Sequence, residues 1–322
     1  MKSSPPIVRH LSLFLLLGGS GSLCAESGKI PYTHGDPTPL EQFALEMANR
    51  ARQAPLTESG DLGVDLNAGL SPNQIGGEAK QPLAFHPDLL AAARRHSLWM
   101  LEAKQFSHTG SGGSNAGERM GAAGYRFLAP YLWGENIAWQ GVKGIGNPAE
   151  LVRRLHRSIF ASPTHRLNLL DVDHNSVGLG LQAGNYQFEG EVYQACFLTQ
   201  NFARSAGSPE MAGPFVTGVA YRDSNGNGQY DPGEGKPGIR LSIEDGLYET
   251  YTTSSGGYAL PILGPFGVRL RLIAEEPGRP RLVKEIEVLD VRNVKVDFVE
   301  PVIPRRVRVG ASSFGAPVIR GD

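Results

Sequence analysis

The chain has 322 residues, of which 40% are hydrophobic and 20% charged, and its formal net charge is −1. This composition is typical of a globular protein with material for one large or two ordinary domains. The near-neutral balance argues against a nucleic-acid partner, which requires a basic face, and the densest basic run, 153–157, is typical of the solvated side of a helix.

The N-terminus has the parts of a secretory signal peptide. Two basic residues precede the apolar run 11–17, and small residues follow as far as Ser22. The run is too short to cross a bilayer as a stable helix. We therefore expect cleavage near residue 25 and a secreted or periplasmic protein with no transmembrane segment in the mature chain. Cys24 leaves a lipid-anchored form as the alternative.

Helical signals dominate the first half of the chain. Apolar residues at helical spacing, opened by a capping residue or proline, predict three helices, at 39–52, 87–104 and 148–161. The segment 53–81 lacks periodicity and is rich in Gly, Asn, Pro and Ser, so we expect a long surface loop. Two strands follow, at 177–181 and 192–202, with a turn at Gly184-Asn185. Cys196, in the second strand, is expected to be a buried, inert thiol.

The pattern changes after a small-residue stretch that begins at Ser205. Segments 239–243, 268–272 and 294–298 alternate apolar and polar residues between Gly and Pro turns, which predicts an antiparallel β-sandwich. The predicted organisation is a signal peptide at 1–25, a linker at 26–37, an α+β domain at 38–204, a linker at 205–214, an all-β domain at 215–300 and a tail at 301–322.

No local motif identifies a catalytic centre. The eight histidines include no His-Glu-x-x-His pair and no close Cys/His pairing, and the Gly-x-Ser-x-Gly motif of serine hydrolases is absent. His96 and His156 are on predicted helices, where packing or surface positions are expected. No evident nucleophile accompanies them, so the sequence favours a protein that is not an enzyme.

Three longer segments are informative together. They are Phe106-Ser107-His108-Thr109-Gly110, Gly134-Glu135-Asn136-Ile137-Ala138-Trp139 and Ser162-Pro163-Thr164-His165-Arg166-Leu167-Asn168-Leu169-Leu170. In this order and spacing they resemble the CAP superfamily (SCP-like, or pathogenesis-related-1-like, proteins) in its bacterial secreted branch. The resemblance covers roughly residues 39–204 and implies an α-β-α sandwich with a cleft lined by two histidines and two glutamates.

The resemblance places His108, Glu135 and His165 around that cleft. The fourth member is missing, because no carboxylate stands on the helix segment 155–163, where many family members have a glutamate. Two imidazoles and one carboxylate could hold zinc or another divalent metal with a position open for water. They could equally form a network in which Glu135 accepts hydrogen bonds from both imidazoles. His174 is an alternative member of the set.

A twelve-residue segment in the second half fits the calcium-loop template. Glycine stands at the sixth position, Gln229 offers a backbone carbonyl at the seventh, and strands flank the loop. The expected calcium ligands are Asp223, Asn225, Asn227, Gln229, Asp231 and Glu234. The module resembles the SdrD B-like or prealbumin-like (Ig-like) β-sandwiches of bacterial surface proteins. The alternative is an Asn/Gly-rich turn without an ion.

The sequence thus predicts an exported CAP-domain protein with a His/Glu-lined cleft, fused to a calcium-stabilised β-sandwich. The cleft would serve as a ligand-binding or interaction module for a lipid, a peptide or a cell-envelope protein. Two alternatives remain open. One is a zinc-dependent hydrolase or peptidase that uses His108, Glu135 and His165, and the other is a structural or adhesive envelope protein.

Overall fold

The computed structural model describes residues 28–301, and within them the architecture is α+β, as predicted. The expected signal peptide, Cys24 and the expected tail beyond residue 301 lie outside the described residues. Among the helices of residues 28–301, none combines the length and the apolar character needed to cross a membrane.

Between residues 28 and 204, six α-helices are present, and five of them begin with proline. They are α1 (Pro39–Gln53), α2 (Pro55–Leu62), α3 (Pro87–Glu102), α4 (Ala116–Ala123), α5 (Pro148–Ala161) and α6 (Pro163–Leu170). At the start of α1, the Glu41 N–H donates to the Thr38 hydroxyl, and the Thr38 N–H donates to the Glu41 carboxylate at 2.8 Å. The three predicted helices match α1, α3 and α5. The expectation of a loop throughout 53–81 is wrong, since Pro55 opens α2.

Four strands form the sheet of this part, in the order β2-β4-β5-β3. They are β2 (Ala84–Phe85), β3 (Leu132–Val142), β4 (Ser176–Phe188) and β5 (Glu191–Arg204). The β4–β5 hairpin turns at Glu189-Gly190, not at Gly184-Asn185 as predicted. Both turn residues have positive φ, 49° and 81°, which suits a two-residue hairpin turn. The Gly184-Asn185 pair instead continues the ladder opposite β5.

Helices cover both faces of this sheet. On β4, Val177 and Leu179 face the apolar cluster formed with α1 and α5. The alternate residues face α3, where a Cβ on Gly178 would lie 2.0 Å from the Leu89 backbone and one on Gly180 2.2 Å from that of Ala93. Only glycine permits such a close approach of helix and strand. The result is the expected α-β-α sandwich.

The second part of the chain is all-β, apart from the short helix α7 (Pro209–Ala212). Its strands are β6 (Phe215–Asp223), β7 (Arg240–Ile243), β8 (Tyr248–Tyr251), β9 (Gly257–Pro261), β10 (Val268–Glu275), β11 (Leu282–Val288), β12 (Val294–Lys295) and β13 (Phe298–Pro301). One sheet contains β8-β7-β10-β11, and the other contains β12-β6-β13 with β9 paired to β6. Inward-facing residues such as Val216, Leu241 and Leu272 form the core of this part.

The residues just before α1 do not act as a linker, which corrects the prediction for 26–37. Strand β1 (Ile30–Pro31) pairs in parallel with β8 and so becomes an edge strand of the second part's sheet. The Tyr32 ring packs on Phe215 with centroids 5.8 Å apart. The chain therefore starts in the sheet of one part before it enters the helices of the other.

The two parts share buried contacts. Tyr221 and Tyr230 of the second part belong to the same apolar cluster as Phe43 of α1. The buried Asn293 amide donates to the backbone oxygens of Pro82 (2.9 Å) and Asn175 (2.7 Å) in the first part. Because a core and buried hydrogen bonds cross the boundary, we expect the two parts to unfold together.

Candidate functional site

Three separate elements carry the predicted cleft residues. His108 lies on the loop after α3, Glu135 on β3 and His165 on α6. The His96 Nε2–H of α3 donates to the Ser107 backbone oxygen at 3.0 Å, which fixes the loop next to His108. On the opposite side, the Asn136 amide donates to the His165 backbone oxygen at 3.0 Å and ties α6 to β3.

The structure brings these three residues together. His108 Nδ1 donates to Glu135 Oε1 over 2.9 Å, and the ring centroids of His108 and His165 are 6.4 Å apart. The Glu135 side chain is only 3% exposed, whereas that of His108 is 56% exposed. A buried carboxylate therefore orients an imidazole whose other edge faces solvent.

Arg119 of α4 is the cleft residue that sequence reasoning missed. Its Nη2 donates to Glu135 Oε2 over 2.5 Å, and its Nη1 donates to the backbone oxygens of His108 (3.0 Å) and Ser114 (2.7 Å). The expectation that Glu135 accepts from both imidazoles is thus wrong, because Arg119 takes the second oxygen. The Asn201 amide, with its nitrogen toward the cleft, adds a donor to that oxygen at 3.3 Å.

The ring nitrogens of His108 and His165 differ in their hydrogen bonding. The Nδ1 of His108 is held by Glu135, and Nε2 has no hydrogen-bond partner among residues 28–301. Burial, followed by the nearby His108 charge, lowers the pKa of His165. His165 is therefore neutral at pH 7, with a lone pair available on its ring. The pair presents hydrogen-bonding edges to solvent, since His108 is exposed and His165 half-buried.

The arrangement does not fit a three-ligand zinc site. The Glu135 oxygens already accept from His108 and from the positively charged Arg119. Two imidazoles on one tetrahedral zinc, with bonds of about 2 Å, would have centroids about 5 Å apart, shorter than the 6.4 Å seen here. Within the described residues, no group of three His, Cys, Asp or Glu side chains is placed to hold a metal ion, either here or in the loop 223–234.

His156 and His174 have packing roles. His156 is buried on α5, and its Nε2 meets Glu58 Oε1 of α2 at 2.8 Å. His174 is buried, bonds the Asn168 backbone oxygen at 3.1 Å and stacks on Phe202, so it is not part of the cleft set. Cys196 is a free, buried thiol, and burial raises its pKa to about 12.

The predicted calcium loop, residues 223–234, is closed by its own hydrogen bonds. The Asp223 carboxylate accepts from the Asn227 and Gly228 N–H groups at 3.1 and 2.9 Å. Asp231 accepts from the side-chain amides of Asn225 and Asn227 at 2.8 and 2.7 Å. The donor set consists of hard oxygen atoms, which suits calcium chemically.

The ends of this loop are fixed to the rest of the protein. Glu234 Oε1 accepts from the Ser224 N–H at 2.8 Å, which joins the last residue of the loop to its second. Arg153 of α5 donates to Asp231 at 2.8 Å, and Arg50 of α1 donates to the Gln229 side chain at 3.0 Å. The loop therefore lies against two helices of the first part.

Comparison with known proteins agrees with this geometry. The family model described as "CAP: Cysteine-rich secretory protein family" matches residues 45–202, about half of the chain. This α-β-α part of the chain is a CAP domain. None of the curated proteins matches the chain significantly.

Among solved structures, an extracellular SCP-domain protein from Bacillus anthracis str. Ames matches with 26% identity and a TM-score of 0.27, over 37% of this chain and 32% of that one. An outer surface protein from Borrelia burgdorferi matches with 17% identity and a TM-score of 0.25, over 37% and 74%. The dioxygenase domain of a carbohydrate-binding fusion from Streptomyces sp. SirexAA-E matches with 17% identity and a TM-score of 0.21, over 28% and 79%.

Proposed function

We propose that the CAP domain is a ligand-binding module of an exported protein and that its cleft holds an amphipathic ligand, a lipid or a short peptide. The observation that carries this proposal is the His108–Glu135 hydrogen bond of 2.9 Å, with the carboxylate buried and the imidazole exposed. A side chain fixed in this way meets a ligand without losing further conformational freedom. His108 Nε2 is the atom that would contact the polar group of the ligand.

Exposed aromatic side chains support an apolar portion of the ligand. Trp133 is 43% exposed and Phe106 45% exposed. Trp133 lies two residues before Glu135 on β3, so both point to one face of the strand about 7 Å apart. Phe106 precedes His108 by two residues on the same loop. An amphipathic molecule could therefore contact the imidazole and an aromatic ring together.

Two probes test this function on the chain from residue 26 to residue 322. A dansylated fatty acid represents the lipid class, and a mixture of short labelled peptides represents the other. We expect saturable binding of one probe, with energy transfer from tryptophan to dansyl for the lipid. Binding should weaken roughly tenfold in Trp133→Ala, in line with the loss of one aromatic contact.

The matched control is Phe188→Ala, since Phe188 is an exposed aromatic residue at the far end of β4 (41% exposed). Binding that is unchanged in Trp133→Ala, or lost equally in the control, would reject the cleft as the ligand site. Binding of neither probe, together with capture of an envelope protein, would favour the structural or adhesive alternative.

The hydrolase alternative has a separate signature. Zinc-dependent hydrolysis would be abolished by a chelator and by His165→Ala, whereas ligand binding in the cleft should survive the chelator. The pairing of Glu135 with Arg119 favours binding, because it places a fixed positive charge beside the position a zinc ion would take.

We also propose that the loop 223–234 binds calcium and stiffens the β-sandwich, which we infer to be an SdrD B-like module. Support comes from the match to the twelve-residue template and from the burial of Asp223 and Glu234 at the two ends. Binding requires the Asn225 and Asn227 amides to rotate so that oxygen replaces nitrogen toward the ion. The rotation gives up the bonds that Asn225 Oδ1 and Asn227 Oδ1 accept from the Asn227 and Gln229 N–H groups.

A further inference from the structure

A second concave site lies between α1, α5 and the loop 223–234, away from the histidine cleft. It is a cavity of about 220 Å³ with an apolar floor, and its lining includes Glu150, His156 and Gln229 beside four arginines. The floor contains Phe43, Met47 and Leu62. We call the rim residues Arg50, Arg153, Arg154 and Arg157 the arginine pocket.

The arginine pocket has more positive charges than nearby carboxylates. Three of its four arginines have one acidic partner each: Glu58 for Arg50, Asp231 for Arg153 and Glu150 for Arg154. Arg157 has no acidic partner among residues 28–301. One charge therefore remains without compensation at the rim of a cavity.

The spacing of the arginines on α5 adds electrostatic repulsion within the helix. Arg153 and Arg157 are four residues apart, so they lie on one face of the helix. Like charges at this spacing repel each other and destabilise a helix. A bound anion would offset the repulsion between these two arginines, which is not relieved without one.

The guanidinium groups of Arg153 and Arg154 also have N–H donors that make no hydrogen bond within the described residues. Arg153 uses Nη2 on Asp231, and Arg154 uses Nε on Glu150. Within the described part of the chain, the other nitrogens of these two side chains have no acceptor. Planar groups of N–H donors match the oxygens of phosphate or sulfate in two-point hydrogen bonds.

Part of the pocket is held in place without a ligand. The Arg153 guanidinium lies 4.8 Å from the centre of the Phe43 ring, a cation–π contact. Beneath the rim, Arg50 and His156 both bond the buried Glu58 at 2.9 and 2.8 Å. These contacts fix α1, α2 and α5 around the cavity and reduce the entropy lost on binding.

We propose that the arginine pocket binds a multivalent oxyanion, that is, a molecule with two or more phosphate or sulfate groups close together. The neutral overall charge and the small cavity favour a compact anion over a nucleic-acid strand. The arginine pocket shares no residue with the histidine cleft, which lies on other elements.

The test uses calorimetric titration of the 26–322 chain with inorganic tripolyphosphate in calcium-free buffer, because polyphosphate chelates calcium. We expect one site per chain, with an affinity that falls as salt rises. The variant Arg154→Gln/Arg157→Gln removes two exposed rim charges and should weaken binding roughly tenfold to a hundredfold. A heparin hexasaccharide in a second titration distinguishes a sulfated glycan from a phosphate source.

The matched control is Arg269→Gln/Arg271→Gln, which removes two exposed arginines from β10 in the second part. Control and wild type should bind alike, and thermal melts should show that both variants are folded. The proposal is overturned if neither anion binds to wild type, or if both double variants lose affinity equally, which would indicate attraction to net charge alone.

Discussion

The guanidinium of Arg119 and the carboxylate of Glu135 are joined by a hydrogen bond of 2.5 Å, on the oxygen that His108 does not use. One buried acid is thus shared by an arginine from α4 and a histidine from the loop after α3. This sharing pairs both oxygens of the carboxylate and fixes the orientation of the imidazole.

Replacing Arg119 should destabilise the protein. In Arg119→Gln the buried Glu135 loses its charged partner, and we expect a loss of about 3 kcal/mol in the free energy of unfolding. Urea denaturation at pH 7 measures it. The control Arg126→Gln, at an exposed position, should change stability by less than about 0.5 kcal/mol. Equal effects of the two substitutions would contradict a buried ion pair at Glu135.

Glu58 should contribute stability that depends on pH. Burial raises the pKa of this carboxyl, but the hydrogen bonds and charges of His156 and Arg50 outweigh burial and bring the pKa to about 2. Because the folded pKa is below the unfolded value of about 4.3, the contribution is complete above the unfolded pKa and disappears as pH falls through the folded one.

We therefore expect Glu58→Gln to cost about 2 kcal/mol at pH 7, and the difference from wild type to shrink from about pH 5 to about pH 2. Denaturation curves across that range measure it. Glu78→Gln is the control, since the Glu78 side chain is 84% exposed. A difference for Glu58→Gln that stays constant with pH would show that the ion pairs contribute nothing.

Asn293 should couple the two parts of the chain. Its side chain accepts from the Phe215 N–H at 2.9 Å and donates to the Pro82 and Asn175 backbone oxygens. Asn293→Ala leaves the Phe215 N–H and the Pro82 oxygen unpaired, because the Asn175 oxygen keeps its bond from the Ala84 N–H, so we expect a loss of about 2 kcal/mol. Asn185→Ala, at an exposed site on β4, is the control. Wild type should unfold in one transition, and two separate transitions would contradict a shared core.

Calcium should raise thermal stability through the loop 223–234. With a dissociation constant of about 0.5 mM, calcium at about 10 mM adds about 2 kcal/mol. Asp223→Asn/Glu234→Gln should remove this effect, and magnesium should not reproduce it. Differential scanning calorimetry measures the shift. If the double variant is stabilised by calcium as much as wild type, the ion binds elsewhere.

The sequence predicted most of the regular structure from local signals. Proline and capping residues located α1, α3 and α5, and alternation located β7 and β10. Strand β1 could not be predicted, because two residues that pair with β8, more than 200 positions away in the sequence, carry no periodicity. Strand β3 was also missed, since Gly134 and Gly141 interrupt its alternation.

The cleft was predictable only in part, and for a physical reason. The family resemblance located His108, Glu135 and His165, which the structure brings together. It could not indicate Arg119, because an arginine within a short helix is compatible with a solvated surface. Its role arises only when α4 packs beside β3, a tertiary contact without a local signature.

The most direct test of the account is a calorimetric zinc titration of the 26–322 chain at neutral pH, beside the variant His108→Ala/His165→Ala. Because Arg119 and His108 hydrogen-bond both oxygens of the Glu135 carboxylate, we expect no difference in zinc binding between the two proteins. If wild type binds one zinc ion per chain and the variant binds none, the cleft is a metal site and the account is contradicted.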